Sequence, residues 1–392
     1  MESISQNYFC DGNIVRGEPA MFENFSVPAD LRPSDPRFGC GPSLVPLEHL
    51  QNLAATGASY MGTSHRKDAV KNVVREIQEG LRAYFSLPVG YEVVLGNGGA
   101  TMLWDMIGLG LVEKSSVHFT CGEFSEKWYK AHKLIPWITT KQIAVPYGQG
   151  IEMHEEAGFD FICTTLNETS TGVQNTRVPA MKNAQTLVAM DATSGAGQIM
   201  TEIKNVDLYY FSPQKVFASE GGLYVAFISP KAIERAERLG REAGRFIPES
   251  FKWQHAIENG RGHQTYNTPS LATLFLLNQQ VKRLNQMGQA AVVAQAQRKA
   301  ALLYNWAEAK PYLSPFVKDT QHRSTAVATI DVDEKFKVDD ISKVLRQQGV
   351  AIDIDGYRKL GRNQLRIALF HNIRHDDLDK LTTIIGQMIE SV

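Results

Sequence analysis

Residues 186–229 read TLVAMDATSGAGQIMTEIKNVDLYYFSPQKVFASEGGLYVAFIS. Three apolar runs cross this stretch. Leu187 to Met190 stops at Asp191, Leu208 to Phe211 stops at Ser212 just before Lys215, and Leu223 to Ile228 follows a Gly pair. Each run is short, aliphatic or aromatic, and bounded by Gly or Pro, which predicts buried strands. Two of them end at an ionisable group, and ligands of α/β sheets sit at the carboxyl ends of strands. An acid and an amine delivered there suit pyridoxal phosphate. Its aldehyde needs a lysine, and its pyridine nitrogen needs an anion to stay protonated, so that the ring can act as an electron sink.

Taken singly, a lysine in a turn is ordinarily solvated and a strand-terminal Asp ordinarily caps a helix. The ordered set D-A-T-S-G-A-G, S-P-Q-K and G-G-L outweighs those readings. Working outward, YEVVLGNGGATMLWDMIGLGLV reads as strand, Gly-rich turn and helix, with Gly98 and Gly99 letting the backbone approach a ligand closely. A helix start of that kind cradles phosphate. The turn is neither GxGxxG nor a Walker P-loop, which argues against NAD and ATP. SVHFTCGEFSEKW is strand, turn and helix, and places Phe124 where it can cover a flat ring. FDFICTTLNETSTGVQN gives a strand from Phe159 to Thr164, then a polar run, Asn167 to Gly172, of capping or site groups. Alternating strands and helices over residues 65–229 predict a mostly parallel sheet flanked by helices.

The flanks carry the remaining signals. Residues 1–37 are Pro-rich and aperiodic, an arm that packs on a partner or frays. Ser43 to Leu53 predicts a short helix with Leu44, Leu47, Leu50 and Leu53 at helical spacing, and the helix from Asp68 has a stripe of Val70, Val73, Val74, Ile77, Leu81 and Tyr84. His65 and Arg66 precede it, either as a solvated loop or as an anion site at an electropositive helix start. Asn267-Thr268-Pro269 reads as the cap of a long helical stretch running to about Glu308. The last hundred residues form a small α+β unit containing YRKLGRNQLR, whose Arg358, Lys359, Arg362 and Arg366 are either an anion site or a solvated loop.

Composition sets the limits. The chain has 392 residues, 43% hydrophobic and 21% charged, and a net charge of −1. Length and composition predict an ordinary globular enzyme of two domains, with no basic balance to favour nucleic acid or an anionic membrane. The four cysteines, Cys10, Cys40, Cys121 and Cys163, show neither CxxC nor metal spacing, so free buried thiols and no metal are expected. MESISQNYFCDGN lacks a basic start and an apolar core, and no run approaches a membrane span, so a cytoplasmic protein is expected.

With these pieces together, the chain resembles the phosphoserine aminotransferases, a class V branch of the fold-type I enzymes, in their actinobacterial type. FGCGPS, GTSHR, GNGGAT, GEFS, NETSTGV, DATSGAG, SPQK, YNTP and YRKLGRNQLR carry the resemblance from about Phe38 to the C-terminus. It implies an aspartate-aminotransferase-like fold: an arm over residues 1–40 joining a small domain, a large cofactor domain over 41–285, and a small α+β domain over 286–392. It implies a homodimer with shared active sites that moves an amino group from glutamate to 3-phosphohydroxypyruvate. Serine biosynthesis is the implied pathway, with pyridoxine biosynthesis as a second. Lys215 is then the cofactor-bearing lysine and Asp191 the pyridine-nitrogen partner. Phe124 stacks on the ring, and Thr169 bonds its oxygen. Gly99, Ala100, Thr101 and Gln214 bind the phosphate, with Asn267 and Thr268 reaching in from the neighbouring subunit. His65, Arg66, Arg358 and Arg366 hold substrate, and Arg66 serves the neighbour's site. Many family members carry an arginine in the Gly-rich loop, where this chain has Ala100-Thr101. Lys359 or Arg362 then substitutes, or the phosphate is held less tightly. The rival readings are a small-acid transaminase of the serine–pyruvate or alanine–glyoxylate kind, a cysteine desulfurase, and a non-catalytic binding protein. Cys121 and Cys163 in expected strands speak against the desulfurase, and the intact Asp191–Lys215 pair against the last.

Overall fold

The computed structural model describes residues 21–392. Cys10 and the first half of the expected arm lie outside that range. Residues 21–37 run along the C-terminal part of the chain. Val27 N–H donates to Gln348 Oε1, and Ser34 donates to both carboxylate oxygens of Asp377. Phe22, Val27 and Phe38 are buried there.

Helix α1 (Leu47–Thr56) and helix α2 (Asp68–Tyr84) come first. The stripe of α2 is buried as its spacing predicts, apart from the half-buried Val73. The leucines of α1 behave differently: Leu47 and Leu50 face solvent, and only His49 of that helix is buried. Their helical spacing defines an apolar face without defining what covers it. Next come strand β1 (Glu92–Asn97), helix α3 (Gly99–Gly110), strand β2 (Ser115–Thr120), helix α4 (Glu123–Lys133), and strands β3 (Thr139–Ala144) and β4 (Phe161–Thr165). A two-residue hairpin, β5 (Asn167–Glu168) and β6 (Val173–Gln174), turns the polar run back on itself. Strands β7 (Leu187–Asp191), β8 (Leu208–Phe211) and β9 (Leu223–Ile228) are the three apolar runs of the central stretch. Cys121 sits one residue past β2 rather than within a strand, and Cys163 lies inside β4.

These strands form one seven-stranded sheet in the order β1-β9-β8-β7-β4-β2-β3. Only β9 runs antiparallel to its neighbours. Every residue of β4, β7, β8 and β9 is buried, because helices cover both faces. Alternate residues feed different cores. Leu223, Val225 and Phe227 pack with α2 and helix α7 (Leu271–Met287). Tyr224, Ala226 and Ile228 pack with α3, helix α5 (Pro230–Gly240) and helix α6 (Trp253–Arg261).

The expected single helical stretch is two helices, α7 and α8 (Gln289–Ala309), broken at Gly288, whose φ is +77°. A left-handed residue ends a helix, and glycine adopts it without cost. The cap of α7 is Ser270, whose hydroxyl accepts from Thr273 N–H, and not Asn267 or Thr268. A second sheet, antiparallel in the order β10 (Leu313–Pro315), β11 (Val327–Val332) and β12 (Gln364–Ala368), carries helices α9 (Val338–Gln347) and α10 (His375–Glu390). Strand β10 has no counterpart in the sequence reading. Three residues ending in proline give no alternating pattern, and proline is tolerated on an edge strand. Among the described residues, no helix is long and apolar enough to cross a membrane.

Candidate active site

Strands β7 and β8 are parallel neighbours, with Asp191 paired to Tyr210 in register. Their carboxyl ends therefore open at one edge of the sheet, together with those of β1, β2 and β4. A cavity of about 260 Å³ lies there, lined by Gly98–Thr101, Trp104, Phe124, Thr165, Asn167, Thr169, Asp191, Thr193, Ser212, Gln214, Lys215 and Gly222. Asp191, Lys215, Phe124, Thr169, Gln214, Gly99, Ala100 and Thr101 thus converge from five separate stretches. A larger and more open groove of about 850 Å³, around Arg177 and Met200, holds none of these residues.

Asp191 is buried, and Thr193 N–H donates to its Oδ1 at 2.9 Å. Burial pushes its carboxyl above the ordinary range, opposed chiefly by hydrogen bonding from Thr193. A carboxylate held in so dry a place gains most from a cationic partner. Lys215 is the converse case. Burial pushes its ammonium down to about 8. Its Nζ donates to the carbonyl of Cys40 at 2.5 Å. That carbonyl belongs to the Phe38–Ser43 turn, which is docked on the lysine loop by Ser43 N–H donating to Gln214 O at 2.7 Å. A Cβ on Gly41 would overlap Lys215 Nζ, and Gly41 has φ +133°. The turn can pass the amine only because that side chain is missing.

At the other end, Gly98 and Gly99 take φ of +108° and +70° and open α3. The first N–H groups of a helix have no internal acceptor, and its dipole adds positive potential. Phe124 is positioned from a distance. The buried Glu168 accepts from the N–H groups of Phe124 and Ser125 and from the Ser125 and Ser170 hydroxyls, so it caps the start of α4. Thr169 donates to Ser194 Oγ, which Asn167 Nδ2 also reaches, both at 2.8 Å. The polar run after β4 therefore divides: Glu168 and Ser170 cap, while Asn167 and Thr169 line the cavity. Thr165, Thr193, Ser212 and Trp104 are lining residues that sequence reading did not single out. Thr193 and Ser212 lie inside the quoted motifs D-A-T-S-G-A-G and S-P-Q-K, Thr165 stands just before the polar run, and Trp104 lies one turn into α3.

The donor set can be tested against pyridoxal phosphate. Thr165 Oγ1, Asn167 Oδ1, Thr193 Oγ1, Gln214 Oε1 and Trp104 Nε1 are buried without a hydrogen-bond partner. Buried polar atoms ordinarily have partners. An amine that gives up its proton more readily than an exposed lysine, a desolvated acid, an aromatic face, an anion cradle and these open groups all fit the cofactor.

The substrate-side residues fall into two groups. Arg366, on β12, comes to the cavity's mouth. Its Nη1 lies 3.5 Å from Thr169 O, its Nε is buried without a partner, and its guanidinium lies 5.4 Å from the Tyr357 ring centre. Tyr357 in turn lies beside Phe124. Lys359 pairs with Glu123 at 2.5 Å, next to Phe124. Arg362 is held by Asp331 at 2.7 Å and lies over Phe316. Arg358 is exposed. The second group, His65, Arg66, Asn267 and Thr268, is absent from the cavity lining. Arg66 donates to Gln264 Oε1 at 2.6 Å, and Asn97 holds Thr268 O at 2.7 Å, so these residues gather on one flank. Arg66, Asn267 and Thr268 are exposed there, and His65 Nε2 is buried without a partner.

Comparison with known proteins agrees with this geometry. Residues 137–381 match the aminotransferase class-V family. The phosphoserine aminotransferase of Corynebacterium glutamicum is 47% identical over 375 residues, covering 93% of this chain and 97% of that one. The chain belongs to the phosphoserine aminotransferase family. Its relative from Nocardioides, of the same name, is 45% identical over 94% of this chain and the whole of its own. Among solved structures, a phosphoserine aminotransferase from Cytophaga hutchinsonii superposes with a TM-score of 0.83 at 26% identity, over 90% of this chain and 98% of that one. An alanine–glyoxylate aminotransferase from Nostoc reaches 0.77 at 19% identity, over 94% and 97%. The fold alone therefore does not select a substrate within the class-V enzymes.

Proposed function

We propose that this chain is a pyridoxal-phosphate-dependent phosphoserine aminotransferase, transferring the amino group of glutamate to 3-phosphohydroxypyruvate to give phosphoserine and 2-oxoglutarate. The observation that carries this reading is the single cavity joining Lys215, Asp191 and the start of α3. Bound there, the cofactor supplies an electron sink for charge developing at the substrate Cα. The chain's own groups do the rest. Lys215 Nζ, whose proton burial has loosened, would hold the cofactor and, once free, move the proton at Cα. Asp191 keeps a proton on the ring nitrogen. Phe124 would cover the ring face, Thr169 would turn its hydroxyl from Ser194 to the ring oxygen, and Gln214 with the first turn of α3 would bind the phosphate. Arg366 takes the substrate carboxylate in a fork that fixes Cα. Arg358 is exposed, and Lys359, paired with Glu123 next to Phe124, would have to leave that carboxylate to meet the substrate phosphate. Arg362, occupied by Asp331, is not available for it without breaking that pair.

The test is an amino-transfer assay with glutamate and paired acceptors. Pyruvate should be poorer than 3-phosphohydroxypyruvate by at least ~10²-fold in kcat/KM, because it leaves the phosphate-binding cations unpaired. Equal efficiency would replace this reading with a small-acid transaminase.

A homodimer is part of the same proposal. The flank bearing His65, Arg66, Asn267 and Thr268 is built as one surface yet misses its own chain's cavity, and α1 leaves Leu47 and Leu50 uncovered. A two-fold partner would bring that flank to the neighbour's site. Lys215→Ala and Arg66→Ala, each inactive alone, should then complement. Refolding a 1:1 mixture restores roughly a quarter of wild-type sites, since half the dimers are hybrid and one of their two sites lacks both defects. No gain, with hybrid dimers seen by mass spectrometry, would return Arg66 to its own subunit.

A further inference from the structure

We propose that a cationic cleft between α7, α8 and the loop from β12 to α10 binds a doubly charged oxyanion, a phosphate or phosphate monoester. It is separate from the cofactor cavity and shares no lining residue with it. The cleft has a volume of about 380 Å³. Arg283 comes from α7, Arg298 and Lys299 from α8, and His371, Arg374 and Asp376 from the loop and the start of α10. Four formal cations thus face one carboxylate, in a chain whose net charge is −1.

A solvated surface accounts for part of this. Arg298 and Arg374 are exposed, and the Arg374–Asp376 pair, at 3.4 Å and open to water, contributes little. Solvation does not account for the floor. Lys299 is 2% exposed, and its Nζ donates to the carbonyls of Phe370 at 2.5 Å and Ile373 at 3.0 Å, with no carboxylate in reach. Burial draws its ammonium down to about 7. His371 is 7% exposed, with Nε2 against the Gln280 amide and Nδ1 buried without a partner. Among the described residues, Arg283 and Arg298 form no ion pair. A buried cation without an anion is costly, and a buried polar atom without a partner likewise. A ligand carrying two negative charges and several acceptors answers both, and guanidinium forks pair with phosphate oxygens in bidentate fashion.

The cleft's own loop reaches the active site. Asn372, between His371 and the Ile373 carbonyl that holds Lys299, donates to Leu44 O and to Ser43 Oγ. Ser43 is the residue docked on Gln214 beside Lys215. An occupant that orders residues 371–374 therefore braces the turn over the lysine.

Calorimetric titration of the holoenzyme with inorganic phosphate, and separately with glycerol 3-phosphate, tests the site. One class of binding should survive Arg366→Ala and weaken at least tenfold in Arg283→Ala/Arg298→Ala. Tighter binding of glycerol 3-phosphate would identify a monoester ligand, and tighter binding of inorganic phosphate the free ion. Arg298→Glu, a surface reversal that folding tolerates, gives the same tenfold loss if the double variant fails to fold. Binding unchanged in these variants, or no binding beyond what Arg366→Ala removes, would overturn the proposal.

Discussion

Lys215→Ala should fold, lose the yellow absorbance of the loaded enzyme, and lose amino transfer by at least ~10⁴-fold, since general acid–base work alone is worth up to about that factor. Folding should survive because the amine contributes little to stability. Its ammonium is drawn down to about 8 by burial, and its one hydrogen bond goes to Cys40 O. Below the unfolded lysine's titration, the folded chain must either bury a charge or give up a proton. Removing the amine ends that cost, so the apoprotein variant should melt no lower than wild type. Retained yellow colour together with activity would assign the cofactor to a different lysine.

Asp191→Asn should lower turnover by about 10²–10³-fold, the scale of removing one preorganised electrostatic group from a dry site. The variant also has a readout other than activity. The carboxyl is raised by burial, so the folded apoprotein holds this proton to a higher pH than the unfolded chain does. The stability involved is present at acidic pH and is lost as pH rises through the elevated value. At neutral pH wild type therefore carries a desolvated charge that a protonated pyridine ring relieves. Asparagine carries no such charge. The increase in melting temperature on adding pyridoxal phosphate should be large in wild type and clearly smaller in Asp191→Asn. Equal increases, with near-normal turnover, would remove Asp191 from the ring nitrogen.

What could be read from the chain, and what could not, follows the range of the interactions. Strands β7, β8 and β9 were visible because burial on both faces leaves an unbroken apolar run. Asp191 and Lys215 were visible because they end such runs. Trp104 and Glu168 were not. Trp104 looks like a core residue of α3, and Glu168 acts across more than forty residues by capping α4 under Phe124. The Gly288 break was hidden in a stretch of strong helix formers, where one backbone angle decides the outcome. Leu47 and Leu50 followed helical spacing but face outward. Periodicity shows that a face is apolar, and a second copy of the chain is not written in one copy's pattern.

Gly41 has a consequence for anyone reading this enzyme by mutational scanning. It is not itself one of the residues lining the cofactor cavity, and it is exposed. Any side chain there displaces the amine rather than the core. A library scored for growth would mark position 41 as intolerant, while one scored for soluble expression would pass it. The gap between the two maps would outline the chemistry at a residue that takes no part in it.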